Sequence, residues 1–335
     1  MTDAPANRVH RYQRWDGELN KNRWTWLAMV VAGVRLALKD RKTRSLVTTI
    51  TMVVLGACIV LYVLSLLELL AGTEQGKAIA EFVHAFLGVD VSEVSRIAEF
   101  RESLWRVFFL LIIKIEMFWV LLIVALVGPR LIASDLKHCA LPIYFAKPVT
   151  PLTYVTSKWL VVAVFIALVT FIPNLLSLIV GVLITGGLHT WAQTASLGLD
   201  LVLSGLSVCL VGGAIVLALS SLSSDHRYVA VAWLAVCLLP VFGQTILNNL
   251  LPPESTTGWL GCVSLRDNIM TVTDWLFGMR EALESSDLPA EAFTNALLKP
   301  VKPICAATVL AAWTLAALVL SYRRVVKFSQ TAANV

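Results

Sequence analysis

The stretch that decides the fold is residues 105–127, which read WRVFFLLIIKIEMFWVLLIVALV. All of these residues are apolar except Arg106, Lys114 and Glu116. A helix needs about 20 mostly apolar residues to cross the roughly 30 Å of hydrocarbon in a bilayer. In lipid such a segment must be helical, because unpaired backbone groups each cost several kcal/mol there. The stretch therefore predicts a transmembrane helix.

The rest of the chain has the same character. Of its 335 residues 58% are hydrophobic and 15% are charged, and the mean hydropathy is +0.78. An ordinary soluble domain is about 45–50% apolar and about 25% charged. Because apolar runs recur along the whole chain, a soluble domain with a single anchor is excluded. We predict an all-α polytopic membrane protein whose six spans lie at 46–69, 105–127, 158–183, 199–221, 228–250 and 303–322.

The placement of basic residues predicts the orientation. Lys and Arg exceed Asp and Glu in segments 1–45, 128–157 and 323–335, whereas the intervening long loops 71–104 and 251–302 carry more acidic residues. The basic excess falls on the cytoplasmic side of membrane proteins. We therefore expect both termini to be cytoplasmic, in a bacterial cytoplasmic (inner) membrane. The domains expected are an N-terminal segment 1–45, a membrane domain 46–322 and a cytoplasmic tail 323–335.

The end of the N-terminal segment predicts a helix of its own. Leu27, Val31, Val34 and Leu38 follow helical spacing, with tryptophans before them and a basic cluster after them. This combination is typical of a helix that lies in the cytoplasmic interface with its cations near anionic headgroups. The alternative is a longer first span with a polar break at 39–44.

The two long outer loops and one small-residue stripe add further expectations. Apolar spacing in 71–104 predicts two short amphipathic helices, and spacing from Ile269 to Met279 predicts a helical cap within 251–302. In the fourth span Gly205, Cys209 and Gly213 recur at four-residue spacing. Small residues let helices approach closely in lipid. The stripe therefore indicates either internal packing, which we favour, or a mobile or dimer-forming face.

The sequence offers no recognisable catalytic site. It has no HExxH or GxSxG motif and no nucleotide-binding fingerprint, and its five histidines fall in different segments. We therefore expect no enzyme activity, no cofactor and no metal. The formal charge of +5 suggests nucleic acid, but the basic residues lie beside the apolar runs, so we expect none.

Lys114 and Glu116 are charged groups inside the second span. Each charge costs a few kcal/mol at the centre of a bilayer, so such residues are candidates for a functional site. Two positions apart on a helix, they point in different directions and cannot simply neutralise each other. They could serve a proton or ion relay, and a partner on another helix would also satisfy Lys114.

The most informative segment is 128–158, GPRLIASDLKHCALPIYFAKPVTPLTYVTSK. Residues 131–144 predict a short amphipathic helix, and Pro148 should stop it because proline cannot continue the backbone ladder. Thr150 and Pro151 then predict a new helix, with threonine as its N-cap and proline at its first position. We call residues 130–158 the knob, since a helix, a turn and a helix here would project from the cytoplasmic side.

The knob resembles one family, the type-2 permeases of ATP-binding-cassette transporters. Members have six spans, an N-terminal elbow helix and a coupling helix between spans two and three. The chain differs from the family pattern at 138–140, where His-Cys-Ala replaces the usual glycine or Arg-Ser-Gly. The positions that carry the resemblance are Leu131, Ile132, Ala133, Asp135, Lys137, Leu141, Pro142, Lys147, Pro148, Thr150, Tyr154, Val155 and Lys158.

The resemblance implies a division of labour between two kinds of subunit. A separate cytoplasmic ATP-binding-cassette ATPase would hydrolyse ATP and push the knob, and a second permease copy or related permease would complete the path through the lipid bilayer. Export is the implied direction. The residues implied in ATPase coupling are Arg130, Leu131, Asp135, Lys137, Leu141, Pro142, Tyr144, Lys147 and Pro148.

Two other functions remain open. An ion-coupled secondary carrier would use Lys114 and Glu116, and a membrane scaffold or assembly factor would transport nothing. Co-purification of an ATPase subunit from native membranes distinguishes the permease from both. Solute movement down a proton gradient by the purified protein would indicate the carrier.

Overall fold

A computed structural model describes residues 24–69, 101–145, 149–185, 188–252, 257–278 and 301–333. Within these ranges the chain is helical apart from short connections, and no strand occurs. A 3-10 turn lies at Trp259–Cys262. The helices are α1 Thr25–Lys39, α2 Arg41–Leu69, α3 Arg101–Lys137, α4 Leu141–Phe145, α5 Pro151–Val169, α6 Phe171–Thr185, α7 Leu188–Leu222, α8 His226–Leu250, α9 Leu265–Leu276 and α10 Pro303–Ala333.

The all-α fold and the six predicted spans are confirmed. Six helical segments among the described residues are long and apolar enough to cross a membrane, which indicates a multi-pass membrane protein. They lie at Arg41–Ile59, Trp105–Lys137, Pro151–Leu183, Thr194–Leu222, His226–Leu250 and Pro303–Phe328. Each overlaps one predicted span. The two short helices predicted in 71–104 fall mostly outside the described residues.

The N-terminal helix is separate from the first span. α1 ends before Asp40, and α2 begins at Arg41. α1 packs against α5, and Gly33 makes the contact close, because a Cβ there would lie 2.7 Å from Val161 Cγ2. That this helix lies in the membrane interface stays a prediction.

The third span is broken, contrary to the single helix expected over 158–183. α5 ends at Val169 and α6 begins at Phe171, with Thr170 between them at φ −106° and ψ −94°. Pro173 explains the position of the break, since its ring would clash with the carbonyl of Val169 in a continuous helix and it has no N–H to donate.

The helix expected over 131–144 is also divided. α3 runs through Pro129 to Lys137, and Cys139 then takes φ 51°. The Cys139 N–H bonds the Leu136 carbonyl at 3.3 Å and the Ala140 N–H bonds the Asp135 carbonyl at 2.9 Å. This is a Schellman ending, whose left-handed position usually holds glycine. Pro142 cannot continue α3, so α4 starts anew.

The start of α5 is confirmed as predicted. Thr150 is the N-cap, and its hydroxyl accepts a hydrogen bond from the Thr153 N–H at 3.2 Å. Pro151 occupies the first helical position, where its missing N–H has no intrahelical partner to lose. Both features fix the start of α5 at Pro151.

The small-residue stripe of α7 packs inside the bundle. A Cβ on Gly205 would lie 2.7 Å from the Phe171 ring of α6, and one on Gly213 would lie 2.7 Å from Trp159 Nε1 of α5. Between them the Cys209 thiol points to the Ala163 carbonyl of α5 at 3.6 Å. The favoured interpretation of internal packing is confirmed, because all three residues face α5 and α6.

Ser220 of α7 binds the turn of α3 that follows Pro129. Its hydroxyl accepts hydrogen bonds from the N–H groups of Ile132 and Ala133 at 3.1 and 3.0 Å, and donates to the Pro129 carbonyl at 3.0 Å. Ser220 is fully buried. A proline inside a helix weakens its hydrogen-bond ladder. The serine therefore supports α3 where the helix leaves the bundle.

We expect Ser220→Ala to lower the free energy of unfolding by about 2 kcal/mol, because it removes three buried hydrogen bonds between α7 and α3. The neighbouring Ser221→Ala is the matched control. Ser221 is also buried, but within the described ranges its hydroxyl bonds only the Ala218 carbonyl of its own helix. Chemical unfolding in detergent measures both variants, and equal losses would contradict the role given to Ser220.

Candidate functional site

The knob is organised around one carboxylate, that of Asp135 near the end of α3. Its Oδ2 accepts a hydrogen bond from the Tyr154 hydroxyl at 2.6 Å and pairs with Lys158 Nζ at 2.7 Å. Tyr154 is fully buried, and the side chains of Asp135 and Lys158 are each 15% exposed. Both partners belong to α5, so this network joins the two helices that form the base of the knob.

Two tyrosine rings lie beside the lysine of this network. Lys158 Nζ lies 5.4 Å from the ring centre of Tyr154 and 5.6 Å from that of Tyr144 in α4. A cation at this distance from a ring is attracted to its negative face. The Tyr144 ring also contacts Tyr154, with centres 5.5 Å apart. Burial, and then the nearby Asp135 carboxylate, raise the pKa of the Tyr144 hydroxyl. Tyr144 therefore stays neutral and fixes α4 against α5.

A second ion pair joins the knob to the N-terminal helix. Arg130 Nη1 lies 2.5 Å from Oδ2 of Asp40, the C-cap residue of α1. The hydrogen bond from Arg130, followed by one from the Lys42 N–H, lowers the pKa of the Asp40 carboxyl. Because both side chains are partly exposed, the pair contributes little to the free energy of unfolding, and we assign it the role of positioning α1. It links α1 to the point where α3 enters the knob.

The predicted coupling residues divide into an inner and an outer set. Leu131 and Leu141 are buried, and Asp135 pairs within the chain. Lys137 is exposed, as are the neighbouring His138 and Cys139, together with Ile143 and Leu152. Pro142 lies in α4, whereas Lys147 and Pro148 fall outside the described residues. The surface available for docking thus combines a lysine with exposed apolar side chains.

Lys114 and Glu116 of α3 point to different neighbours, as their spacing predicts. Lys114 Nζ lies 3.4 Å from Oδ1 of Asp274 in α9. The carboxylate comes from the helix expected as a cap in 251–302, and α9 packs against α3, α7, α8 and α10. The cap helix therefore also supplies a countercharge to the second span.

Glu116 is buried in the bundle and faces α6. Its Oε2 accepts a hydrogen bond from Asn174 Nδ2 at 2.9 Å, and both side chains are almost completely buried. Asn174 lies in the first turn of α6, directly after the break at Thr170. The N-terminus of a helix favours a nearby anion by about 0.3–1 kcal/mol at exposed sites and up to about 2 kcal/mol in partly buried ones. Burial of an unpaired carboxylate costs several kcal/mol, which is the larger effect.

A further ion pair holds the N-terminal end of α3. Arg106 pairs with Asp200 of α7 at 3.1 Å and donates to the Phe277 carbonyl at 2.7 Å.

Sequence reasoning did not single out Asp200, Asn174 or Asp274. The signal existed for the first two, since each is a polar residue within an apolar run, where polar groups are costly. In the described part of the chain no three His, Cys, Asp or Glu side chains are grouped to hold a metal.

Comparison with known proteins adds no family assignment. No protein-family model matches the chain, and a search of curated proteins finds no match.

Proposed function

We propose that the chain is the membrane subunit of an ATP-driven, export-type transporter, worked by a separate ATPase that docks on the knob. The observation that carries the proposal is the construction of the knob. Its interior charges are paired with each other, and its exterior carries an exposed lysine and exposed apolar side chains. α3 has 37 residues, which at about 1.5 Å each gives a helix about 55 Å long. This exceeds the roughly 30 Å of hydrocarbon, so its end can reach a cytoplasmic partner.

The contacts of the knob support transmission of a push into the bundle. The end of α3 is joined to three other helices: to α1 through Arg130 and Asp40, to α5 through Asp135 and Lys158, and to α7 through Ser220. A force on the tip would therefore move α3 together with these helices. α3 also carries Lys114 and Glu116, so the displacement would reach α9 and α6.

The outer faces of the bundle suit either lipid or a second copy. Large apolar side chains remain exposed on several spans, including Leu55 of α2, Leu239 and Phe242 of α8, and Leu315 of α10. An ATP-driven permease of this kind would use part of this surface to meet a second permease. We place the protein in a bacterial cytoplasmic membrane with both termini inside.

Cross-linking from Cys139 tests the proposal. Cys139 is exposed at the turn between α3 and α4, whereas the other cysteines in the described ranges are buried or half-buried. A photoreactive maleimide on Cys139 in native membranes should capture an ATPase subunit identified by mass spectrometry. We expect Lys137→Glu to reduce this adduct at least about tenfold, because the reversed charge would face acidic groups of the partner.

The matched control is Arg323→Glu. Arg323 is an exposed cation of α10 outside the knob, so its reversal changes net charge equally and should leave the adduct intact. Equal loss in both variants, or membranes in which Cys139 captures no ATPase, would overturn the docking role. Solute movement by the purified protein down a proton gradient would favour the ion-coupled carrier instead.

A further inference from the structure

We propose that Glu116 and Asn174 form a proton-binding site in the core of the bundle, beside the break in the third span. The site is independent of the proposed ATPase partner. It depends on two side chains, one from α3 and one from α6, and on the hydrogen-bonding capacity that each has left.

Each of the two groups has one unused oxygen. Asn174 Nδ2 donates to Glu116 Oε2 at 2.9 Å, while Glu116 Oε1 and Asn174 Oδ1 are buried and have no hydrogen-bond partner in the described part of the chain. Both unused atoms are acceptors, so they cannot satisfy each other as they stand. Buried polar atoms of native proteins are nearly always hydrogen-bonded, so this arrangement requires an explanation.

One proton would satisfy both atoms at once. A carboxylic acid and a primary amide are complementary, since each presents one donor and one acceptor side by side. With a proton on Oε1, Glu116 can donate to Asn174 Oδ1 while Asn174 Nδ2 continues to donate to Oε2. The result is a closed pair with two hydrogen bonds and no net charge in the core.

The surroundings favour the neutral acid over a carboxylate. No basic side chain among the described residues lies within ion-pair distance of Glu116. Four cations of α3 and α5 pair with other carboxylates: Arg106 with Asp200, Lys114 with Asp274, Arg130 with Asp40, and Lys158 with Asp135. Titratable groups within the neighbouring helices include the thiols Cys58 of α2, Cys209 of α7 and Cys237 of α8, together with Asp267 and Tyr154, and the basic residues of α2 and α8 lie at their first turns.

The position of the site gives the proton a structural consequence. Asn174 lies in the first turn of α6, after the break at Thr170, and Glu116 lies on the helix that ends in the knob. Loss of the proton would remove one of the two bonds between α3 and α6 and leave an uncompensated carboxylate between them. The contact between α3 and α6 would therefore weaken when Glu116 loses its proton.

The pH dependence of unfolding tests the site, with Glu116→Gln as the key variant. Glutamine can form both hydrogen bonds with Asn174 but cannot ionise. In the wild type, glutamate ionises in the unfolded chain above about pH 4.3 while the folded chain keeps its proton. The unfolding equilibrium of the wild type should then shift toward the unfolded state by up to about tenfold per pH unit relative to Glu116→Gln.

Infrared spectroscopy gives a second readout. At neutral pH the wild type should show the carbonyl band of a buried protonated carboxyl group, which Glu116→Gln lacks and Asn174→Ser shifts. The same relative pH dependence in wild type and Glu116→Gln, or no such band, would overturn the proposal. So would stabilisation by sodium or potassium salts over choline salts in the wild type alone, which would identify a bound cation.

Discussion

Replacement of Asp135 by alanine is expected to lower the free energy of unfolding by about 3 kcal/mol. The change would remove the only anion that contacts Lys158 among the described residues, where the lysine side chain is 15% exposed and flanked by two tyrosine rings. It would also leave the buried Tyr154 hydroxyl without the acceptor that it has at 2.6 Å. A loss of this size shifts the unfolding equilibrium more than about a hundredfold.

A double-mutant cycle separates the ion pair from general damage. We expect Lys158→Met in the Asp135→Leu background to recover more than about 1 kcal/mol, because apolar residues can replace a buried pair at little cost. Asp135→Asn, which keeps an acceptor for Tyr154, should lose less than Asp135→Ala. Unfolding in detergent measures all of these variants. Strictly additive losses would show that Asp135 and Lys158 do not stabilise each other.

Lys137 is a better position than Asp135 at which to test docking. Charge reversal at Asp135 would change the stability of the knob as well as any contact with a partner. Lys137 is exposed and close by, so its reversal leaves the interior network in place. A transport defect in a Lys137 variant of normal stability would therefore report on docking alone.

Gly128→Ala is expected to destabilise the bundle by about 2 kcal/mol, although alanine is the better helix former. A Cβ on Gly128 would overlap Val216 Cγ2 of α7 and lie 2.8 Å from its Cγ1 and 3.1 Å from its Cβ. Because the Val216 Cβ itself is close, a change of rotamer cannot relieve the overlap, and the helices must separate. Overpacking of this kind costs about 1–3 kcal/mol.

Gly56→Ala and Gly243→Ala are the matched controls. Both glycines lie in helices, and a Cβ on either would meet nothing within 4 Å, so alanine should be neutral or stabilising by up to about 1 kcal/mol. Val216→Ala should reduce the penalty of Gly128→Ala in the double variant. Thermal unfolding that ranks all three glycine substitutions alike would contradict the close approach of α3 and α7.

The six spans were predictable because each depends on a property of the local sequence. A run of about 20 apolar residues must be helical in lipid whatever its neighbours are. The start of α5 was predictable for the same reason, since Thr150 and Pro151 act on their own turn. The break at Thr170 was missed, although Pro173 supplied a local signal within the predicted third span.

The contacts that define the site were less accessible to sequence reasoning. The direction of Lys114 away from Glu116 follows from helical spacing, but its partner Asp274 is 160 positions away in the chain and required the packing of α9. Likewise, the sequence position of Asp135 predicts a surface residue that takes part in coupling. Only the approach of α5, which brings Tyr154 and Lys158 beside it, places the carboxylate inside the knob.

The contact between Ser220 and the turn after Pro129 has a consequence for biosynthesis. That hydroxyl is encoded 88 positions after Ile132, so the turn leaves the ribosome long before the group that supports it. The C-terminal end of α3 can reach its final form only after the fourth span has entered the membrane and packed. A partner that recognises the finished knob would thereby ignore half-inserted chains, and assembly of the complex would follow complete insertion.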